Sequence, residues 1–369
     1  MCHGHTIAQR IESGVPDPIT NPIPDQRYLR QLRLPFWDQS AQDRLANSHA
    51  MIVGCGALGC PSADLLARAG VGRLTLIDRD LVEISNLHRQ TLYTDADAKA
   101  QLPKAQAAKD RLESVNPEIE IHAIVADFGS YDAERYLLHE KLAKPDILID
   151  GTDNFETRFL INDLSVLHDI PYIYGGAIGT KGMAAVLIPG ETPCLRCLLN
   201  APPPPGSEPT CEAAGVFAPV SAIVASYQAS EALKLLIGAR ERVMASMLEF
   251  DLWEGARRRI ELEPLKDPKC PCCAKRRFEF LDREDEETIS ICGRDAIQIN
   301  PHNRIPIEMA HLAQALSEQG TFETTAFMLK GRLNDEAVGL TVFRDGRAIF
   351  DGITDPALAR SLYARYIGC

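Results

Sequence analysis

Ala50-Met-Ile-Val53 runs into Gly54-Cys-Gly56-Ala57-Leu58-Gly59, and Pro61 follows two residues later. A short apolar run bounded by glycine reads as a buried strand, and a proline at the front of an amphipathic stretch reads as the first turn of a helix. The glycines between them let the backbone turn tightly and approach a phosphate, while the helix N-terminus offers unpaired N–H groups to an anion. Asp78 closes the next apolar run, Leu74–Ile77, where an acidic side chain holds ribose hydroxyls. The stretch predicts a nucleotide site on a βαβ unit, with Gly54, Gly56, Ala57, Leu58, Gly59 and Asp78 as contacts. It does not choose between NAD and ATP.

Working outward, further strands are expected at Ile119–Val125, Ile147–Ile149, Tyr172–Tyr174 and Met183–Ile188, with helices such as Ala63–Ala69 and Lys104–Val115 between them. This alternation implies an α/β fold with a doubly wound, mostly parallel, Rossmann-like sheet. Ala201-Pro-Pro-Pro-Pro-Gly206 forbids regular structure and marks a surface loop ahead of Cys211. Ala218–Leu236 has the spacing of a buried helix. From about Phe278 the pattern changes. Ile289–Ile299 reads as a strand, Pro306–Gln319 as a helix, and Gly339–Gly352 as a hairpin whose Asp345-Gly346 suits a type I′ turn. Asp355, Pro356 and Gly368 frame a last helix. The expected organisation is a flexible tail over 1–24, an α/β domain over 25–277 and a small α+β domain over 278–369.

The 369 residues are 45% hydrophobic, ample for a sizeable core. Acidic residues outnumber basic ones, 51 to 39, and the formal charge of −12 disfavours nucleic acids and anionic membranes as main partners. No apolar run approaches the ~18 residues of a membrane span. The N-terminus has His3, His5, Pro16 and Pro18 in place of an apolar signal core, so a cytoplasmic location is expected. In that reducing setting eleven cysteines argue for metal binding or thiol chemistry before disulfides. Cys194-x-x-Cys197 and Cys270-x-x-Cys273 supply four thiolates at the spacing that tetrahedral, structural zinc requires. Because the gap between the pairs is too long for a zinc finger, the metal would clip together two remote segments. Cys272 is read as a spare.

Three stretches turn the nucleotide site toward phosphate chemistry. Asn86, Arg89 and Gln90 follow the ribose-binding strand, and Lys104 comes one loop later; the two cations, Arg89 and Lys104, suit a triphosphate. Asp150-Gly-Thr-Asp153-Asn154 follows an apolar strand, which puts Asp153 at the carboxyl end of the sheet, where a carboxylate can hold Mg²⁺ against phosphate oxygens.

With these residues laid out, the chain resembles the ThiF/MoeB/HesA family of ubiquitin-activating-like adenylyltransferases over roughly Asp25 to Cys273. The resemblance is carried by Arg27-Tyr-Leu-Arg-Gln31, the glycine loop, Asp78-x-Asp80, Ser85-Asn-Leu-x-Arg-Gln90, Lys104, Thr152-Asp-Asn154, Pro193-Cys-x-x-Cys197, Thr210-Cys-x-x-Ala-Gly-Val216 and the closing C-x-x-C. It implies a homodimer that uses Mg·ATP to adenylate the C-terminal glycine of a ubiquitin-fold sulfur carrier, most readily the thiamine-thiazole carrier and alternatively the molybdopterin one. By position, Asp78 would bind ribose, Asn86, Arg89 and Lys104 the phosphates, Asp153 the Mg²⁺, and Gln90 and Asn154 would line the nucleotide. Arg30 would reach the partner's ATP site, and Cys211 would link to the activated carrier. Ala57 and Met183 depart from the commoner residues, and Cys292-Gly-Arg294 does not form a recognisable persulfide loop, so the resemblance implies a separate sulfur donor of cysteine desulfurase or rhodanese type.

Other readings account for less. A NAD-dependent oxidoreductase leaves Arg89, Lys104 and Thr152-Asp-Asn154 without a shared purpose, and the acidic balance counts against a tRNA substrate. A non-catalytic carrier-binding scaffold would keep the fold and lack the exchange reaction.

Overall fold

α1 (Gln39–Ala46), capped by the Asp38 side chain accepting from Ala41 N–H, leads into β1 (His49–Val53), which is buried on both faces. Ala50 and Ile52 join one core, Met51 and Val53 the other. Burial of both faces is what a central strand of a parallel sheet requires, and each fully buried side chain such as Ile52 contributes about 1.5–3 kcal/mol. The computed structural model describes residues 26–139, 142–203, 214–283, 288–290, 295–301, 307–334 and 338–368. The tail over 1–24, Cys211, Cys292, Arg294 and Cys369 lie outside the described residues.

After β1 come α2 (Gly59–Ala69), β2 (Arg73–Ile77), the short α3 (Asp95–Lys99), α4 (Lys104–Val115), β3 (Glu120–Ile124), α5 (Ser130–Leu137), β4 (Ile147–Asp150), α6 (Phe155–His168) and β5 (Tyr172–Ile178). These five strands are parallel in the order β3-β2-β1-β4-β5. α2 and α4 cover one face, through Leu66, Ala105 and Leu112, and α5 and α6 the other, through Leu137 and Phe159. β6 (Lys181–Leu187), β7 (Ser246–Asp251) and β8 (Ala256–Glu261) extend the sheet antiparallel to eight strands. Between β6 and β7 lie α7 (Leu195–Leu198) and α8 (Ala218–Leu236). α8 is tied to the sheet by buried Gln228, which donates to the carbonyls of Asp150 at 2.8 Å and Ile173 at 3.2 Å.

The first core continues past residue 277, since Phe280 stacks on Phe159 with ring centroids 4.7 Å apart. Beyond it lie β9 (Thr288–Ser290), β10 (Ala296–Ile299), α9 (Met309–Ala315), β11 (Gly320–Thr324), β12 (Met328–Leu333), β13 (Gly339–Phe343), β14 (Ala348–Asp351) and α10 (Pro356–Tyr366). The six strands form a separate antiparallel sheet, β11-β12-β13-β14-β10-β9, with its own core around Ile297, Leu329, Leu340, Phe350 and Leu362. Three local expectations change here. Ile289–Ile299 is two strands paired antiparallel to each other, and the helix within Pro306–Gln319 is shorter than the pattern suggests. At the hairpin tip only Gly346 has positive φ, +87°, and Gly346 N–H bonds to Phe343 O at 3.0 Å. The turn is therefore a three-residue loop closed by a left-handed glycine, because type I′ needs positive φ at Asp345 as well. No helix among the described residues is long and apolar enough to cross a membrane.

Candidate functional site

The carboxyl ends of β1, β2 and β4 meet at the glycine loop. Gly54 sits at φ +89°, and a Cβ there would lie 2.5 Å from Gly151 O. A Cβ on Gly59 would lie 1.9 Å from Gly54 O, so these two glycines are required by the fold itself. Gly56 differs. A Cβ there would meet nothing closer than Gln90 Nε2 at 3.8 Å and Gly151 O at 3.9 Å. Its bare backbone leaves open space beside the helix N-terminus, a cradle that fits a phosphate. Gln90 lines that space, buried, with an Oε1 that has no hydrogen-bond partner among the described residues. Ala57 and Leu58 complete the loop, Leu58 as a buried apolar anchor.

Asp78, at the end of β2, accepts from Cys55 N–H and Asp80 N–H, both at 2.7 Å. Burial pushes its carboxyl up to about 6, against the pull of neighbouring Lys104. Lys104 opens α4 and places Nζ 2.8 Å from Asp80 Oδ2. Burial works against its charge, but Asp78 and Asp80 outweigh it and hold the ammonium above its ordinary value. Asp80, half-exposed, is held below the usual carboxylate range by Lys104 and Arg79, against the effect of burial. Arg79 pairs with Asp127 at 3.1 Å, a contact with no signal in the sequence because Asp127 lies on the loop after β3.

Asn86 and Arg89 are joined, Arg89 Nη2 donating to Asn86 Oδ1 at 2.7 Å, on the turn that follows β2. Asp153 is exposed after β4 and makes no hydrogen bond among the described residues, while its charge is felt at Arg79, Lys104 and Arg158. An exposed carboxylate without such bonds could serve as an oxygen ligand to Mg²⁺. Asn154 has a structural task, capping α6 by accepting from Thr157 N–H at 2.8 Å. Arg30 is exposed in the turn after Gln26–Tyr28, whose neighbour Gln31 is anchored on Gln42 and Ala69 O.

A second centre lies apart from the cradle. The sulfurs of Cys194, Cys197, Cys270 and Cys273 all lie within 4.8 Å of one another. Individual separations are 3.6 Å for Cys194–Cys270, 3.5 Å for Cys197–Cys273 and 4.0 Å for Cys194–Cys197. Zn–S bonds of about 2.3 Å in a tetrahedron place sulfurs about 3.8 Å apart, so the arrangement fits zinc. Cys272 is buried outside the four, accepting from Asn162 Nδ2 at 3.3 Å, while Asn162 Oδ1 takes Leu195 N–H at 2.7 Å. Asn162 therefore fastens both cysteine segments to α6. The metal would replace the proton on each crowded thiol and join the segment after β6 to the segment after β8.

Residues 28–272 match the ThiF family. The chain is 39% identical over 345 residues, 93% of its length and 99% of the other's, to the sulfur carrier protein ThiS adenylyltransferase of Bacillus subtilis. It is 39% identical over 272 residues, 72% of this chain and 96% of the other, to the sulfur carrier protein adenylyltransferase of Thermus thermophilus. Among solved structures it resembles E. coli MccB in complex with AMPCPP and MccA, with a TM-score of 0.59 and 24% identity over 69% of this chain and 75% of that one. At that identity the likeness speaks for the fold.

Proposed function

Because the chain belongs to the ThiF family, we propose that it adenylates the C-terminal glycine of a ubiquitin-like sulfur carrier, using Mg·ATP bound at the glycine loop. The observation that carries the reading is the convergence of an open phosphate cradle at Gly56 with Lys104 and the unengaged Asp153. The carrier carboxylate attacks the α-phosphorus, a carboxyl O–P bond forms, the bond from the α-phosphorus to its bridging oxygen breaks, and pyrophosphate leaves with that electron pair. The carboxylate is already ionised at neutral pH, so no strong base is needed. What the step needs is positive charge where negative charge accumulates.

Asp78 accepts the ribose hydroxyls, while Lys104, Arg89 and Asn86 face the phosphates. Gln90 offers its unpartnered Oε1 to a ligand donor. Asp153 would hold Mg²⁺, which supplies charge neutralisation of the phosphate oxygens. Arg30, exposed on its own protomer, acts across a homodimer on the partner's ATP. Cys211 takes the activated carrier as a thioester in place of AMP, and a separate cysteine desulfurase or rhodanese-type donor then delivers sulfur. The carrier is of the thiamine-thiazole type, a choice supported by the Bacillus relative, with the molybdopterin carrier as the alternative.

The test is ATP–pyrophosphate exchange with each carrier in turn. Exchange that depends on one carrier and disappears in Asp153→Ala is expected; exchange independent of any carrier sinks the reading. Cys211→Ala keeps exchange and loses sulfur transfer. Purified protein carries stoichiometric zinc, and Cys270→Ser does not.

A further inference from the structure

Cys272, the thiol left over by the four-sulfur arrangement, is not idle in the fold. It is 1% exposed, and its sulfur is not among the four that lie within 4.8 Å of one another. Three cysteines stand in the run Cys270-Pro271-Cys272-Cys273, and any of their thiolates is chemically a zinc ligand. Something besides chemistry therefore has to choose between them. The Cys272 sulfur accepts from Asn162 Nδ2 at 3.3 Å, and Cys272 O takes the N–H of Arg276 at 2.8 Å. The other end of the same Asn162 amide, Oδ1, accepts at 2.7 Å from the N–H of Leu195, one residue past Cys194.

Asn162 is itself 1% exposed, and the two segments reach it across 33 and 110 residues of sequence. The same stretch of α6 holds the region at further points. Asp163 Oδ2 accepts the N–H of Phe280 at 2.9 Å, Val166 packs among Cys194, Cys270 and Cys272, and Arg276 donates to Val166 O at 3.4 Å and Leu167 O at 3.3 Å. We propose that Asn162 is a positioning residue for the metal: one amide brings the two cysteine pairs face to face and keeps Cys272 out of the ligand set. A planar amide donates from one atom and accepts at another, whereas a carboxylate only accepts and an aliphatic chain does neither. Groups that orient metal ligands from outside the coordination shell typically change metal affinity 10–100-fold when they are lost. This inference rests on the zinc reading above and on no part of the nucleotide reading.

The experiment is equilibrium transfer of zinc from the full chain to a chromophoric chelator, with thermal unfolding of each variant recorded. Asn162→Leu, close in size and without donor or acceptor, is expected to hold zinc about 10–100-fold more weakly. Asn162→Asp, which still accepts from Leu195, and Cys272→Ala, which leaves the amide in place, fall between. Cys272→Ser, whose hydroxyl accepts in place of the sulfur, returns close to the unsubstituted affinity. The control is Ser165→Ala, which removes a different buried hydrogen bond of the same helix, Ser165 Oγ to Ile170 O at 2.6 Å, and leaves zinc affinity unchanged. Exclusion of Cys272 is read in a Cys273→Ser background, where adding Cys272→Ser is expected to change nothing; a further loss there would show Cys272 ligating and overturn that half of the inference. Unsubstituted affinity in Asn162→Leu overturns the other half, and so does an equal loss in Ser165→Ala, which marks a general loosening of α6. Should Asn162→Leu not fold, Asn162→Asp and Cys272→Ala decide in its place, and unchanged affinity in both is the overturning result. Purified protein without zinc would remove the zinc reading and this inference together, and would leave the adenylation to its own test.

Discussion

Two carboxylate–cation pairs stand at the ends of two strands of one sheet, β4 and β2, with β1 between them, and they are built for opposite ends. Asp150, at the end of β4, is wholly buried, with Arg158 Nε 3.2 Å from Oδ2. Its oxygens also accept from Tyr172 OH at 2.8 Å, Thr152 Oγ1 at 2.7 Å and Thr152 N–H at 3.0 Å. Arg158 in turn donates to the carbonyls of Thr152 and Gly175 and lies over the rings of Phe155 and Tyr174. The Asp80–Lys104 pair has one half-exposed carboxylate and one strong contact at 2.8 Å. The first pair has many partners and holds β4, α6 and β5 together, although buried Arg158 Nε itself makes no hydrogen bond among the described residues. The second rests on few. Equal formal charge thus yields a clamp in one place and a lightly held ammonium in the other, and the difference lies in how many partners each group already has.

The comparison breaks most visibly at Asp150. Asp150→Ala leaves the Arg158 guanidinium buried without its counter-ion and is expected to destabilise the protein by about 3–5 kcal/mol in urea unfolding. A loss below about 1 kcal/mol, the range of an exposed pair, would mean that the pair is not a clamp. Lys104→Met should do the reverse. The remaining Asp80 is half-exposed and buried Asp78 can take up a proton, so stability falls less than in Asp150→Ala, while pyrophosphate exchange falls about 10²–10³-fold as one charge donor to the reacting phosphates is removed. Should unfolding suffer more than exchange, the two pairs are not different in kind.

Tyr172→Phe sharpens the same contrast on a smaller scale. It removes one hydrogen bond to a charged oxygen and is expected to cost about 1.5–3 kcal/mol of stability with ATP affinity unchanged. The smallest effect is a pH dependence. Asp78 in the folded chain is pushed up to about 6, above the ordinary carboxylate value, so the native state takes up its proton before the unfolded chain does. Its contribution to stability is therefore present at low pH and lost as pH rises through about 6. ATP binding runs oppositely, because the ribose hydroxyls need the ionised acceptor. Lowering the pH from 7.5 to 5.5 should raise the ATP KM about fourfold while this group's share of stability increases. A KM flat over that range would detach Asp78 from the ribose.

The parts legible in the sequence were those where backbone chemistry allows few alternatives. Gly54 and Gly59 are forced by contacts under 3 Å, and α4 and α8 begin and end where their apolar spacing does. β8, Ala256-Arg-Arg-Arg-Ile-Glu261, escaped because it is an exposed edge strand with nothing to alternate, and β11 is nearly as exposed. The Asp150–Arg158 clamp escaped for another reason. An arginine in an amphipathic helix carries the same signature whether it faces water or a buried carboxylate.

The four sulfurs have one more consequence. Cys194 meets Cys270, and Cys197 meets Cys273, each across 76 residues of sequence. With the metal in place this span is a ring, and α8, β7 and β8 are its contents. A chain unfolded without losing its metal is a lasso rather than a free coil, and chain-entropy reasoning for a cross-link of that size gives about 4–5 kcal/mol of difference between ring and coil. At the edge of an otherwise parallel sheet, β6 and the β7–β8 hairpin, far apart in sequence, are then already held near each other before the chain begins to refold.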